Sequence, residues 1–250
     1  MCLDTERFTS VYQQAVLNFT FYIFNFSNHF QNKDGVKKAY FISGLGADKN
    51  VFRYIKLPGG YEPHFIEWIK PEPSEDVSHY ASRLSKDIQP NEDFILIGLS
   101  FGGLIATEIA RIKQPQKLII ISSMATANDI PWYFQKAGKY KLQNYLPVGF
   151  FKIATLLNHM VGSKNKEEKA IVETFVKNAD PGFIRWSLNA IVTWKQDKRL
   201  DGLVHIHGSK DHLLPFKYTK ADHCVLNGGH LMVFNRAKDI NGLLKDILPE

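Results

Sequence analysis

The sequence contains few cysteines and no long apolar run. Cys2 and Cys224 are its only cysteines, and they stand near opposite ends of the 250 residues. Secreted domains that depend on disulfides carry more cysteines, and two isolated thiols lack the spacing of a metal site. No stretch of about 18 consecutive apolar residues is present, so no segment predicts a transmembrane helix. These absences favour a cytoplasmic protein.

The composition is typical of a globular protein. Hydrophobic residues make up 44% of the chain and aromatic residues 13%, which is enough for a packed core. The charged share of 22% is ordinary and excludes wholesale disorder. The length suits one large domain, or one domain that carries an insert.

The net charge of +6 comes from one segment. Residues 124–199 hold 12 basic and 6 acidic residues, whereas the rest of the chain holds 19 of each sign. A nucleic-acid-binding protein would show basic clusters interleaved with stacking aromatic residues, or a known binding module. Neither is present, so nucleic acid is not predicted as a partner.

Residues 1–37 differ in pattern from the rest of the chain, and we treat them as an N-terminal extension of a main domain at 38–250. Apolar and polar residues alternate over 17–23, which predicts an added edge strand. An amphipathic segment that touches a membrane is the alternative. Asp4 and Glu6 stand where a secretory signal peptide would be basic, so no signal peptide is predicted.

From residue 38 onward, short apolar runs alternate with helical patterns. Buried strands are predicted at 40–42, 65–69, 94–97, 118–121, 204–207 and 224–226. Continuous apolar strands alternating with helices are typical of a parallel sheet that is covered on both faces. We therefore expect an α/β fold with a mostly parallel sheet flanked by helices.

The stretch from about 124 to 200 interrupts this alternation. It is too long for a crossover connection and contains helical patterns, so it predicts a helical cap inserted over the sheet. Its aromatic residues form the core of the cap or, alternatively, the roof of an apolar acyl pocket. Prominent among them are Trp132, Tyr133, Phe134, Phe150, Phe151, Trp186 and Trp194. Its excess positive charge is a solvated face or, alternatively, a means of attracting anionic substrates.

A Gly-Leu-Ser-Phe-Gly-Gly motif at 98–103 joins a predicted strand to a predicted helix. In a nucleophile elbow, the flanking glycines let the strand and the helix approach closely, and the central serine adopts a strained backbone conformation. Such a turn would lift the Ser100 hydroxyl to the carboxyl edge of the sheet. It would also aim the Phe101 N–H toward the same point.

A serine is a weak nucleophile without a base. His230 and Asp211 each follow a predicted strand, and the chain order serine, acid, histidine is the one used by nucleophile-elbow enzymes. His230 would accept the Ser100 proton, and Asp211 would orient the imidazole. Other acids and histidines remain as alternatives at this point. They are Asp129, Asp222, His212 and His223.

No cofactor or metal is predicted. His205 and His207 share one face of a predicted strand, but no third ligand accompanies them. No His-Glu-x-x-His or paired-cysteine pattern occurs. The glycine-containing loop at 44–49 lacks the third glycine of a dinucleotide fingerprint and the Gly-Lys-Ser/Thr of a P-loop.

From about Lys38 to its C-terminus, the chain resembles the α/β-hydrolase superfamily, specifically its small capped esterase-like members. The resemblance rests on the motifs at 98–102, 207–211 and 228–230, and more weakly on the loop at 43–46. It implies an oxyanion hole formed by the backbone N–H groups of Leu45 and Phe101. Ser43 stands where the family usually has histidine, and the stretch from the acid to the histidine is short for the family.

The motifs and the resemblance together predict a serine hydrolase that cleaves a small-molecule carboxylic ester or thioester through an acyl-enzyme. A serine nucleophile disfavours dehalogenase and epoxide hydrolase chemistry, and a basic cap disfavours an aminopeptidase. Carbon–carbon bond hydrolysis, acyl transfer, lyase chemistry and a non-catalytic ligand receptor are the alternatives. Neither the substrate nor the oligomeric state follows from the sequence.

Overall fold

The computed structural model describes residues 36–89, 92–140, 166–178 and 180–248. Its strands are β1 (Lys37–Ile42), β2 (Tyr61–Ile66), β3 (Phe94–Leu99), β4 (Lys117–Ile121), β5 (Leu203–Gly208) and β6 (His223–Val225). Its helices are α1 (Val77–Leu84), α2 (Phe101–Lys113), α3 (Trp132–Lys139), α4 (Lys166–Asn178), α5 (Pro181–Thr193), α6 (Met232–Asn235) and α7 (Ala237–Ile247). The strands form one sheet in the order β2-β1-β3-β4-β5-β6, and each neighbouring pair is parallel. The predicted α/β fold is confirmed.

The core lies on both faces of this sheet. Along β3, Phe94 and Leu96 pack in one hydrophobic cluster, whereas Ile95, Ile97 and Leu99 pack in the other. Successive side chains of a strand point to opposite faces, so a strand covered on both sides requires an apolar residue at nearly every position. Full burial of each such side chain contributes about 1.5–3 kcal/mol.

Helices α2 and α7 cover opposite faces. Leu104 and Ile105 of α2 lie in the first cluster, and Ile240 and Leu244 of α7 lie in the second, all fully buried. Because all described strands run in the same direction, their carboxyl ends meet at one edge, where the loops that follow them come together. This edge is where the sequence places its candidate catalytic residues.

Three details of the sequence prediction are wrong. The sixth strand, predicted as buried at 224–226, occupies His223–Val225, and both Cys224 and Leu226 are exposed. The second strand, predicted at 65–69, occupies Tyr61–Ile66, because β2 is the last strand of the described sheet and its Phe65 side chain is partly exposed. The apolar pattern of β2 is therefore weak, and it does not mark the bounds of the strand.

The helical spacing of Ile112 from Ile105 and Ile109 predicts that it lies with them on the buried face of α2. Ile112 is instead 45% exposed, because it lies with exposed Arg111 in the solvated last turn.

Helices α3, α4 and α5 lie between β4 and β5, within the insert predicted at 124–200. Residues 141–165 of that insert are outside the described residues, as is the predicted edge strand at 17–23, so the cap and the extension stay predictions. In the part of the chain that the structure describes, no helix has the length and apolarity needed to cross a membrane.

Candidate active site

Ser100 occupies a sharp turn between β3 and α2. Its backbone has φ 52° and ψ −122°, a strained conformation for a residue with a side chain. A Cβ atom on Gly98 would lie 2.5 Å from the Gly102 carbonyl oxygen, and one on Gly102 would lie 2.2 Å from the Ser43 carbonyl oxygen. Only glycine fits at these positions, which explains the spacing of the motif around Ser100.

The structure brings Ser100, His230 and Asp211 together in one hydrogen-bonded row. His230 Nε2 lies 2.9 Å from Ser100 Oγ, and His230 Nδ1 lies 2.8 Å from Asp211 Oδ2. The other oxygen, Asp211 Oδ1, accepts backbone N–H groups of Leu213 and Leu214, each at 2.9 Å. Both the acid and the histidine are buried, whereas Ser100 is half-buried.

The surroundings of Asp211 keep its carboxylate ionised. Burial by itself would raise the pKa of Asp211, but the neighbouring imidazoles of His230 and His207 outweigh it and hold that pKa below its usual value. An ionised carboxylate only accepts hydrogen bonds, so the proton shared with His230 resides on Nδ1. In neutral His230, Nε2 is then free to accept the Ser100 hydroxyl proton.

The two predicted oxyanion-hole donors are backbone N–H groups without a backbone partner in the described residues. Phe101 is the first residue of α2, and its N–H makes no backbone hydrogen bond in the described residues. Leu45 lies in the loop after β1, and its N–H is likewise unpaired there. A Cβ atom on the adjacent Gly44 would lie 3.5 Å from Ser100 Cβ, so this loop packs directly against the serine. Leu45 and Phe101 thus lie in the two segments that adjoin the serine, and they stay the predicted oxyanion-hole donors.

Ser43 supports the loop that carries Leu45. Its Oγ donates to the Ala47 carbonyl oxygen at 2.7 Å and accepts the indole N–H of Trp68 at 3.0 Å. The Ala47 N–H in turn donates to the Gly44 carbonyl oxygen at 3.0 Å and closes the turn. A hydroxyl thus ties the loop after β1 to the segment after β2, at the position where the family usually has histidine.

Solved structures share this architecture at low sequence identity. One is a lipase-esterase related protein from Clostridium acetobutylicum ATCC 824, with a TM-score of 0.60 and 17% identity over 87% of this chain and 96% of that one. A thermophilic esterase from Thermogutta terrifontis has a TM-score of 0.60 and 14% identity over 85% of this chain and 91% of its own. A hydrolase from Oleispira antarctica has a TM-score of 0.58 and 16% identity, covering 84% and 90%. No protein-family model matches the sequence, and neither does any curated protein.

The chain has the α/β-hydrolase fold. This confirms the fold that the resemblance implies, because each alignment covers more than four fifths of both chains. One fold supports many reactions, so at these identities the chemistry of this α/β-hydrolase fold must be argued from its own site.

The other candidate acids serve structural roles in this fold. Asp129 Oδ2 accepts the N–H groups of Ala125 and Thr126 at 2.8 and 3.1 Å and caps its own turn. Burial raises the pKa of Asp129. Asp222 is exposed, pairs with Arg199 and accepts a backbone N–H from β5. Neither acid contacts His230 in the described residues.

The alternative bases do not reach Ser100. Within the described residues, the exposed His212 and the half-buried His223 make no hydrogen bond with the serine, whereas His230 does. His212 instead lines a cavity of about 480 Å³ that also includes Gly229 and Lys210 but not Ser100. We do not assign this cavity to the substrate, because the candidate nucleophile lies outside its walls.

An aromatic cluster stands beside the elbow. Trp68 stacks on Phe101 with ring centroids 5.5 Å apart, and Phe183 of α5 lies 5.2 Å from Trp68. Trp186 of α5 meets Phe101 edge-on at 6.0 Å. The sequence pattern predicts Trp186 as a residue of the cap, but it does not single out Trp68 or Phe183. Trp68 could have been found from its place, since it follows the strand next to the loop of Leu45.

The described residues contain one group with metal-ligand character, formed by Glu72, Glu75 and His79. Arg83 pairs with both carboxylates, at 3.3 Å from Glu72 and 2.7 Å from Glu75. The guanidinium hydrogen bond lowers the pKa of Glu75 to about 2. The Arg83 guanidinium already pairs with both carboxylates, so we assign no metal to this cluster.

Proposed function

We propose that this protein is a serine hydrolase that cleaves a carboxylic ester or thioester through an acyl-enzyme. The observation that supports it most is the continuous row from Ser100 Oγ through His230 to Asp211, with hydrogen-bond lengths of 2.9 and 2.8 Å. A strained serine in an elbow, an imidazole within reach and a buried carboxylate behind it meet the needs of nucleophilic acyl transfer.

In the first step, Ser100 Oγ attacks the substrate carbonyl carbon while its proton moves to His230 Nε2. The carbonyl oxygen gains negative charge, and the N–H groups of Leu45 and Phe101 stabilise it. Loss of one such donor typically raises the barrier by about 3 kcal/mol. Asp211, ionised and hydrogen-bonded to His230 Nδ1, stabilises the imidazolium that forms.

The tetrahedral intermediate then collapses. The bond to the alkoxide or thiolate breaks, and His230 Nε2–H gives its proton to the leaving group. Water next attacks the acyl-enzyme, with His230 accepting its proton, and Ser100 regains its hydrogen when the acid departs. These steps need only the groups present in the row and the oxyanion hole.

Ester or thioester cleavage fits the surroundings better than peptide cleavage. The aromatic cluster of Trp68, Phe101, Phe183 and Trp186 offers apolar surface for an acyl or aryl group. An aminopeptidase would need acids to hold a substrate ammonium group, whereas the segment at 124–199 has an excess of basic residues. The same charge would favour an anionic substrate.

The first experiment is labelling with a fluorophosphonate, followed by intact-mass measurement. Ser100 Oγ would form a bond to phosphorus, fluoride would leave, and the serine proton would pass to His230. We expect one adduct on the wild type and none on Ser100→Ala or His230→Ala. Ser122→Ala is the matched control, since Ser122 also has positive φ at the end of the next strand and should leave labelling intact.

A folded wild type that forms no adduct would contradict the proposal and favour a ligand receptor. If labelling succeeds, a panel of aryl esters, acyl thioesters and diketones distinguishes the reactions that one activated serine can support. Turnover of esters or thioesters supports our proposal. Turnover of diketones alone would instead indicate carbon–carbon bond hydrolysis.

A further inference from the structure

Two buried histidines stand behind Asp211 and have no role in the steps above. His205 and His207 lie on β5 with side chains fully shielded from solvent. His205 Nε2 is 3.0 Å from His207 Nδ1, and His207 Nε2 is 3.3 Å from Asp211 Oδ2. The row that begins at Ser100 therefore extends inward through two more imidazoles.

The proton positions along this extension follow from the partners. His207 Nε2 lies 2.8 Å from the Leu214 carbonyl oxygen, which can only accept, so Nε2 carries a proton. His207 Nδ1 can then accept from His205 Nε2–H. Burial lowers the pKa of His205 to about 3, so His205 is neutral. In this arrangement each N–H points along the row toward Asp211.

The Asp211 loop is held from two sides. On one side, Oδ1 accepts the N–H groups of Leu213 and Leu214. On the other, His207 Nε2–H binds the Leu214 carbonyl oxygen and lies against Asp211 Oδ2. Between this loop and β6 the structure has only a short 3₁₀ turn at Phe216–Tyr218, so a helix does not brace the loop there. The imidazole of His207 is the buried side chain that can do so.

We propose that His207, oriented by His205, is a positioning residue that holds the Asp211 loop and carboxylate so that Oδ2 faces His230. This inference rests on the proposed serine hydrolase function. Misplacement of a catalytic group by about 1 Å can cost roughly a hundredfold in rate. The N–H at His207 Nε2 is the group that performs this role, because it contacts both the Leu214 carbonyl oxygen and Asp211 Oδ2.

The test compares two amides at one position. His207→Gln places an N–H near the original Nε2, whereas His207→Asn places it near Nδ1, where it cannot reach Leu214. The assay is the saturation kinetics of fluorophosphonate labelling on the full chain. For His207→Asn we expect the maximal labelling rate to fall about tenfold to a hundredfold. The concentration that gives half of that rate and the final labelled fraction should be unchanged.

His207→Gln should recover most of the wild-type rate. Ile206→Val is the matched control, since Ile206 is fully buried on the same strand but packs on the opposite face, and its rate should equal the wild type. If the His207 variants merely lost folded protein, both would show a lower final labelled fraction and an unchanged rate constant. His207→Asn labelling at the wild-type rate, or His207→Gln as slow as His207→Asn, would overturn the inference.

If His207→Asn does not fold, His205→Leu tests the same link, because it removes the donor to His207 Nδ1. We expect it to slow labelling several-fold, and an unchanged rate would contradict the inference. An unlabelled wild type would refute the proposed function itself. A labelled wild type with unaffected variants would refute only the role of His207.

Discussion

Replacing Ser43 with alanine tests the loop that carries Leu45. The change removes the hydroxyl that accepts the Trp68 indole N–H and donates to the Ala47 carbonyl oxygen. Ser43 is 5% exposed, so the Ala47 carbonyl oxygen loses its partner in a largely dry environment. A buried polar group left unpaired costs about 1–3 kcal/mol, and Trp68 is only half-buried and can recover part of its loss from water. We therefore expect Ser43→Ala to lower the free energy of unfolding by about 2 kcal/mol.

The same change should slow acylation, because the turn that aims the Leu45 N–H loses one of its two ties. Full loss of an oxyanion donor costs about 3 kcal/mol, so a loosened donor should cost roughly half of that, or about tenfold in rate. Urea unfolding measures the first effect, and the maximal rate of fluorophosphonate labelling measures the second. An unfolding free energy within about 0.5 kcal/mol of the wild type, together with an unchanged rate, would refute the reasoning.

Three further predictions address the acids and buried charges. Asp211→Asn should reduce the maximal labelling rate about 10³- to 10⁴-fold, because it favours the wrong tautomer of His230. Asp129→Asn should leave that rate within a few-fold of the wild type. The reverse order would show that the acid is misassigned. Because the pKa of His205 falls from 6.5 to about 3 on folding, the unfolded chain binds the extra proton. Stability should therefore decline as pH falls from 6.5 toward 3, by on the order of 4 kcal/mol, and urea unfolding of His205→Leu should show a flatter pH dependence. The pKa of Glu75 is lowered from 4.5 to about 2, chiefly by its hydrogen bond to Arg83, so its stabilisation is complete above pH 4.5 and is lost as pH falls toward 2. Glu75→Gln should lower the free energy of unfolding by about 1–2 kcal/mol at pH 7 and leave it unchanged near pH 2. The value at pH 7 is reduced for screening by solvent, because Arg83 is part-exposed. An equal loss of stability at both pH values would contradict this pairing.

Much of the fold follows from local patterns. β3 and β4 are buried on both faces, and burial of that kind demands an uninterrupted apolar run that is visible in the sequence. β2 was misplaced because a strand at the end of the described sheet does not need such a run, and its apolar residues are mixed with polar ones. The elbow around Ser100 was predictable for a steric reason, since Gly98 and Gly102 stand where a Cβ atom would meet backbone at 2.5 Å or less.

The sequence by itself therefore determined the α/β architecture, the elbow serine and the order of acid and histidine, because these depend on periodicity and on residues close together in the chain. Only the tertiary structure decided that Asp211 meets His230 while Asp129 caps a turn, since both acids follow a strand and the difference lies in how each loop folds. It also decided that Ser43 joins Trp68 and that His207 stands behind Asp211. Those contacts join separate loops at the carboxyl edge of the sheet, and no spacing along one segment encodes the distance between two loops.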